Sequence, residues 1–145
     1  MPERGTLRVN VDGGARGNPG PAAIAAVVRD GDDRVLERHS MRIGTATNNV
    51  AEYRALLLGI ERGAELGASH LELIGDSELI VRQVRGEYKV KDETLRALHR
   101  QVRAALEGFE DWSIRHVRRD ENAEADLLVN EELDKVQEAE GRRQK

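Results

Sequence analysis

The sequence predicts an α/β domain with a mixed sheet carrying helices on its faces. Two observations predict it. Three strand-like segments joined by tight turns come first, as in an antiparallel meander, and strands then alternate with helices, as parallel strands with crossovers require. The length, 145 residues, suits one domain. A hydrophobic fraction of 39% against 34% charged residues describes a charge-rich globule with its own core.

The elements follow in order. TLRVNVDGG alternates around Leu7, Val9 and Val11 and reads as a strand ending at Asp12. ARGNPGP is a turn-rich loop. AAIAAVVRD is a β-branched strand, Gly31-Asp32-Asp33 signals a hairpin, and RVLERHSMRI returns with period two. After TATNN, with Asn48 or Asn49 as the N-cap, Tyr53, Leu56, Leu57, Ile60 and Ala64 recur at helical spacing, and Gly67 ends that helix. LELIGDS is a short strand stopping at Asp76, and Ser77 or Asp76 caps a short helix broken at Gly86. EYKVK connects to a helix opened by Asp92 and Glu93 and carrying Leu95, Leu98, Val102, Ala105 and Leu106. DWSIRHV is the last strand. Asp120 or Asn122 caps a final helix carrying Ala125, Val129, Leu133 and Val136. One domain over residues 1–136 is expected, with 137–145 a polar, flexible tail.

Composition excludes several chemistries. Without cysteine there is no disulfide, zinc–thiolate site or thiol nucleophile. No apolar run approaches the roughly 20 residues of a membrane span, and MPERGTLRV has no apolar signal region. A cytoplasmic protein with no membrane association is expected. Aromatics at 3% leave little for base stacking. A net charge of −4 excludes a uniformly basic surface but not a local basic face.

The acids carry the chemistry. Asp12 and Asp76 end strands, where ligands of open sheets gather. Glu52 lies in the first turn of one helix and Asp126 early in the last. Each alone also reads as a turn, a cap or a complement to the helix dipole. Converging, they would repel one another unless a cation paired with them, and hard oxygen donors favour Mg²⁺ or Mn²⁺.

Four segments fix the reading further: VDGGARGNPGPAA, TNNVAEYRALLLGI, IGDSELIVRQVRGEYKVK and RHVRRDENAEADLLVNEELD. In order and spacing they resemble the motifs of the type 1 ribonuclease H family, from about Leu7 to Asp134. The resemblance implies the ribonuclease H-like fold, a five-stranded mixed sheet of order 3-2-1-4-5. It implies endonucleolytic hydrolysis of the RNA strand of an RNA–DNA hybrid by two Mg²⁺ (or Mn²⁺) ions, leaving 5′-phosphate and 3′-hydroxyl ends. Asp12, Glu52, Asp76 and Asp126 match its metal-holding carboxylates. Gly13, Gly14, Asn18 and Asn48 match groups that read the 2′-hydroxyl, the local mark of RNA. Thr47 and Asn49 become phosphate contacts, with Ser77 and Asn122 also on the substrate side. Glu78 stands where many relatives carry Gln.

A mobile group assisting the reaction is Arg119 or His116. RHVRRDEN resembles the shorter branch of the family, lacking a Gly-rich His loop, and favours Arg119. The basic insertion of other relatives is reduced to RGEYKVKDE, where Lys89 and Lys91 are a residual phosphate patch with Tyr88 beneath it. Weak, salt-sensitive binding by a monomer with no obligate protein partner is expected. A non-catalytic hybrid-binding module, and a junction resolvase or exonuclease on the same fold, are the rival readings. The complete set of acids favours catalysis over the first, and the Gly/Asn loop favours ribose reading over the second.

Overall fold

The computed structural model describes residues 5–143, with side chains to residue 139. Three antiparallel strands come first: β1 (Thr6–Ala15), β2 (Gly20–Arg29) and β3 (Val35–Ala46). Then follow α1 (Asn48–Glu65), β4 (His70–Gly75), α2 (Glu78–Val84), α3 (Glu93–Leu106), β5 (Asp111–His116), a 3₁₀ turn (Arg119–Asn122) and α4 (Ala123–Arg143). β4 joins β1 and β5 joins β4 in parallel, so the five-stranded sheet has the expected order β3-β2-β1-β4-β5.

Strand alternation sorts the two faces. Leu7, Val9 and Val11 of β1, Ile24, Ala26 and Val28 of β2, and Leu71 and Leu73 of β4 turn to one face and form the main core with α1, α2 and α3. On the other face, Ala23 and Ala25 of β2 meet Val129 and Leu133 of α4. Each fully buried Leu, Ile or Val contributes about 1.5–3 kcal/mol, so most of the stability lies on the α1 side.

Helix α1 is more deeply set than its predicted stripe. Ala55, Leu58, Gly59 and Gly63 are buried with Tyr53, Leu56 and Ile60, whereas Ala64 is exposed. The helix is held between the sheet and α3, and a stripe for one face does not describe a helix covered on two. Close packing explains Gly59: a Cβ there would come within 2.8 Å of Val11 Cγ1 and 3.0 Å of Val9 Cγ1. Inside this layer the Tyr53 hydroxyl donates to Gln83 Oε1 at 2.7 Å, and the His99 ring lies edge-on to Tyr53 with Nε2 2.9 Å from the Gln83 carbonyl. One polar chain, buried at Tyr53 and Gln83 and part-buried at His99, thus links α1, α2 and α3.

Three boundaries differ from expectation. β1 does not stop at Asp12. It continues through two glycines to Ala15, paired residue by residue with β2, because the antiparallel ladder satisfies the backbone there. The N-cap of α1 is Thr47, whose Oγ1 accepts from the Val50 N–H at 3.2 Å. Asn48 is already helical, and its side chain accepts from the N–H of Ala15 at the end of β1 instead. The last helix does not end near Val136. It continues to Arg143, so the segment expected to be a flexible tail is helical from 137 to 143, and residues 144–145 lie outside the described residues. No helix among the described residues is long and apolar enough to cross a membrane.

Candidate active site

The β1–β4 register builds the site. Asn10 pairs with Ile74 at the end of the parallel ladder, and Asp12 and Asp76 each follow two residues further along their chains. Glu52 arrives from the first turns of α1. Its carboxylate accepts from the Gly13 N–H at 3.3 Å. That approach needs glycine, because a Cβ on Gly13 would collide with the Ala51 carbonyl. Asp12, Glu52 and Asp76 converge until one oxygen from each lies within 4.8 Å of the others. Asp126 stands outside that triad but lines the same cleft, of about 500 Å³.

The electrostatics follow from burial. Asp12 is 6% and Glu52 9% exposed. Burial, then the charges of Asp76 and Asp126, push the Asp12 carboxyl up to about 7. Burial, then Asp12 and Asp76, hold Glu52 well above the usual carboxylate range. Asp76 is also raised by burial, against the opposing effects of Arg119 and Asn122. Asp76 Oδ2 is the one buried side-chain oxygen without a hydrogen-bond partner among the described residues. Crowded carboxylates with elevated pKa and an oxygen left unpaired form a donor set that fits a hard divalent cation.

The remaining expected residues divide. Gly13, Gly14, Asn48, Asn49, Ser77 and Arg119 line the cleft with the acids. Asn18 and Thr47 line a neighbouring groove with Asn49, Asp92 and Thr94. His116 ends β5, paired with Gly75, and is exposed away from the cleft wall. Lys89 and Lys91 lie exposed in the α2–α3 connection, where the Arg82 guanidinium sits 5.4 Å from the Tyr88 ring centroid. Asn122 is 2% exposed. It is a girder behind the acids: Nδ2 donates to the Val11 carbonyl at 2.8 Å, and Oδ1 accepts from Asn10 Nδ2 at 2.9 Å. Asn10 in turn accepts from Arg29, which pairs with Glu124 of α4.

Sequence reasoning missed Arg16 and Asn130 in the cleft wall. Asn130 lies one turn after Asp126, and that spacing was the available signal. Arg16 gave none, since a loop position does not reveal which helix its side chain reaches.

A family model described as reverse-transcriptase-like matches residues 10–132. Ribonuclease HI of Halobacterium salinarum is 45% identical over 135 residues, covering 92% of this chain and 68% of its own. The chain belongs to the type 1 ribonuclease H family. Ribonucleases H are hydrolases, and the protein is an enzyme of that class. The crystal structure of the halobacterial RNase H1 matches with a TM-score of 0.88, covering 90% of this chain and 98% of that one at 44% identity. The N-terminal RNase H domain of a Mycobacterium tuberculosis bifunctional protein gives 0.89 at 40% identity, covering 92% and 97%. The chain spans only 35% of that whole bifunctional relative. LC11-RNase H1, crystallised with an RNA/DNA hybrid, gives 0.84 at 42% identity, covering 90% and 98%.

Proposed function

We propose that this ribonuclease H cuts the RNA strand of RNA–DNA hybrids endonucleolytically, leaving 5′-phosphate and 3′-hydroxyl ends. The carrying observation is the carboxylate triad with the unpaired Asp76 oxygen. The hybrid bound by the 42%-identical LC11-RNase H1 supports the substrate class. Asp12, Glu52, Asp76 and Asp126 would hold two Mg²⁺ or Mn²⁺ ions when substrate is bound. Such ions supply Lewis-acid stabilisation of charge at the phosphate under attack.

The chain's own groups do the rest. Gly13 and Gly14 give the backbone close access to the minor groove, where the 2′-hydroxyl is displayed. Asn48 is held in place to read the same hydroxyl. Its Oδ1 accepts from the Ala15 N–H at 2.8 Å, and its own N–H donates to Asn18 Oδ1 at 3.0 Å. Thr47 and Asn49, at the N-terminus of α1, offer donors to the DNA-strand phosphates. Arg119 beside Asp12 and Asp76 handles developing phosphate charge. It cannot serve as a base. Lys89 and Lys91 add a weak, salt-sensitive backbone contact. The protein acts as a cytoplasmic monomer on this reading.

Labelled hybrid, duplex RNA and duplex DNA incubated with Mg²⁺, Mn²⁺ or EDTA test the proposal. RNA-strand cleavage in the hybrid alone, abolished by EDTA and by Asp76→Asn in a folded protein, is expected. Cleavage of duplex DNA, or cleavage in EDTA, would overturn it.

A further inference from the structure

Arg16 belongs to the loop after β1, yet its guanidinium contacts lie on α4. Nη1 donates to Gln137 Oε1 at 2.6 Å. Nη2 lies 2.7 Å from Asp134 Oδ1, 3.3 Å from Asn130 Oδ1 and 3.5 Å from the Asn130 carbonyl oxygen. Asn130, Asp134 and Gln137 are spaced i, i+4, i+7 and form one ridge of the helix. One turn back along that ridge stands Asp126, whose carbonyl accepts from Asn130 Nδ2 at 3.0 Å. The guanidinium therefore grips the ridge that begins with the fourth carboxylate.

At its other end the loop is fixed to α1. The Ala15 N–H at the end of β1 donates to Asn48 Oδ1 at 2.8 Å, and Asn18 Oδ1 within the loop accepts from the Asn48 N–H at 3.0 Å. One loop thus spans the helix that carries Glu52 and the helix that carries Asp126. The span matters because these helices cover opposite faces of the sheet. Asp12, Glu52 and Asp76 converge on one another, whereas Asp126 stands outside their triad on a helix seated over the small Ala23 and Ala25 of β2. A planar fork bound to a carboxylate and two amides holds a helix more firmly than neutral bonds would.

We propose that Arg16 is a positioning residue for Asp126: by pinning α4 to the loop it sets how far the fourth carboxylate stands from the other three, and hence how tightly the site holds divalent metal. The inference rests on the metal-dependent reading above. Its rival is direct, since Arg16 also lines the cleft and could contact a substrate phosphate.

Asp134 separates the two. It is 61% exposed and does not line the cleft, so Asp134→Ala breaks the grip without removing a group from the site. Arg16→Ala, Arg16→Lys, Asp134→Ala and the Arg16→Ala/Asp134→Ala double variant are compared in the full chain. The first readout is the Mn²⁺-induced rise in melting temperature without nucleic acid. The second is the Mn²⁺ requirement for hybrid cleavage, with KM and its salt dependence. Arg16→Ala and Asp134→Ala should each need about tenfold more Mn²⁺ in both assays. The double variant should be no worse than the worse single, Arg16→Lys should recover part of the loss, and KM should change little. An unaltered Mn²⁺ requirement in every variant would overturn the proposal. So would a raised KM with a salt slope lowered by about one for Arg16→Ala alone, which marks a phosphate contact. If the wild type melts higher with Mn²⁺ but leaves hybrid intact, the hybrid reading fails while the melting comparison still decides the role of Arg16.

Discussion

Asn122 Nδ2 donates to the carbonyl oxygen of Val11 at 2.8 Å, one residue before Asp12. The bond hangs the 3₁₀ turn carrying Arg119 directly on the strand carrying the most buried acid. Asn10 completes the joint from the neighbouring position on β1. Asn122→Ala leaves the Asn10 amide and the Val11 carbonyl without their partner in a buried place. A loss of about 1–3 kcal/mol is expected, seen in urea denaturation. Activity should fall further than stability explains, because Arg119 loses its support. An unchanged denaturation midpoint would show that water replaces the amide.

The acids make the metal-free protein pH-sensitive. The folded carboxyl of Asp12 lies near 7, above its unfolded value of 3.8, and Glu52 is raised as well. The folded state therefore holds protons that the unfolded chain releases between about pH 4 and 7, and stability must fall as pH rises through that window. In EDTA the melting temperature should be higher at pH 5 than at pH 8. Mn²⁺ should raise it at pH 8 and do much less at pH 5, where protons occupy the same oxygens. Equal Mn²⁺ effects at both pH values would contradict this assignment.

Gly13→Ala should damage the site although no acid is substituted. The added methyl meets the Ala51 backbone, which cannot rotate away as a side chain could, so α1 must shift from β1. A cost of about 1–3 kcal/mol is expected, with a raised metal requirement as Glu52 retreats. Melting curves and Mn²⁺ titration of cleavage measure both.

Arg119 and His116 are distinguished by position. Arg119 lines the cleft, and its charge opposes the upward shifts of Asp12 and Asp76, whereas His116 is the weakest named influence on Asp76 alone. With saturating Mn²⁺, Arg119→Ala should lower kcat clearly more than His116→Ala. A larger loss for His116→Ala would reverse the assignment.

Much of the fold was legible in the residues. Alternation in TLRVNV and the spacing of Leu95, Val102 and Leu106 follow from which face each side chain must bury, and burial is local in sequence. The ends of elements were less legible. Asp12 lies inside a strand because β2 supplies partners beyond it. Thr47 rather than Asn48 caps α1 because Asn48 is engaged 33 positions away. α4 extends past Val136 while Arg16, far off in sequence, holds Gln137. In the site, the four acids could be named from ordered motifs, but only the fold shows which three of them converge. Neither motif nor period tells that Asn122 turns inward.

The Tyr53–Gln83–His99 chain has a consequence for aim. Tyr53 follows Glu52 directly, and neighbouring residues of a helix point about 100° apart. With its hydroxyl held by Gln83 on α2, α1 cannot roll about its own axis without abandoning a buried hydrogen bond. The azimuth of the Glu52 carboxylate is therefore braced from another face of the helix, by groups that do not line the cleft.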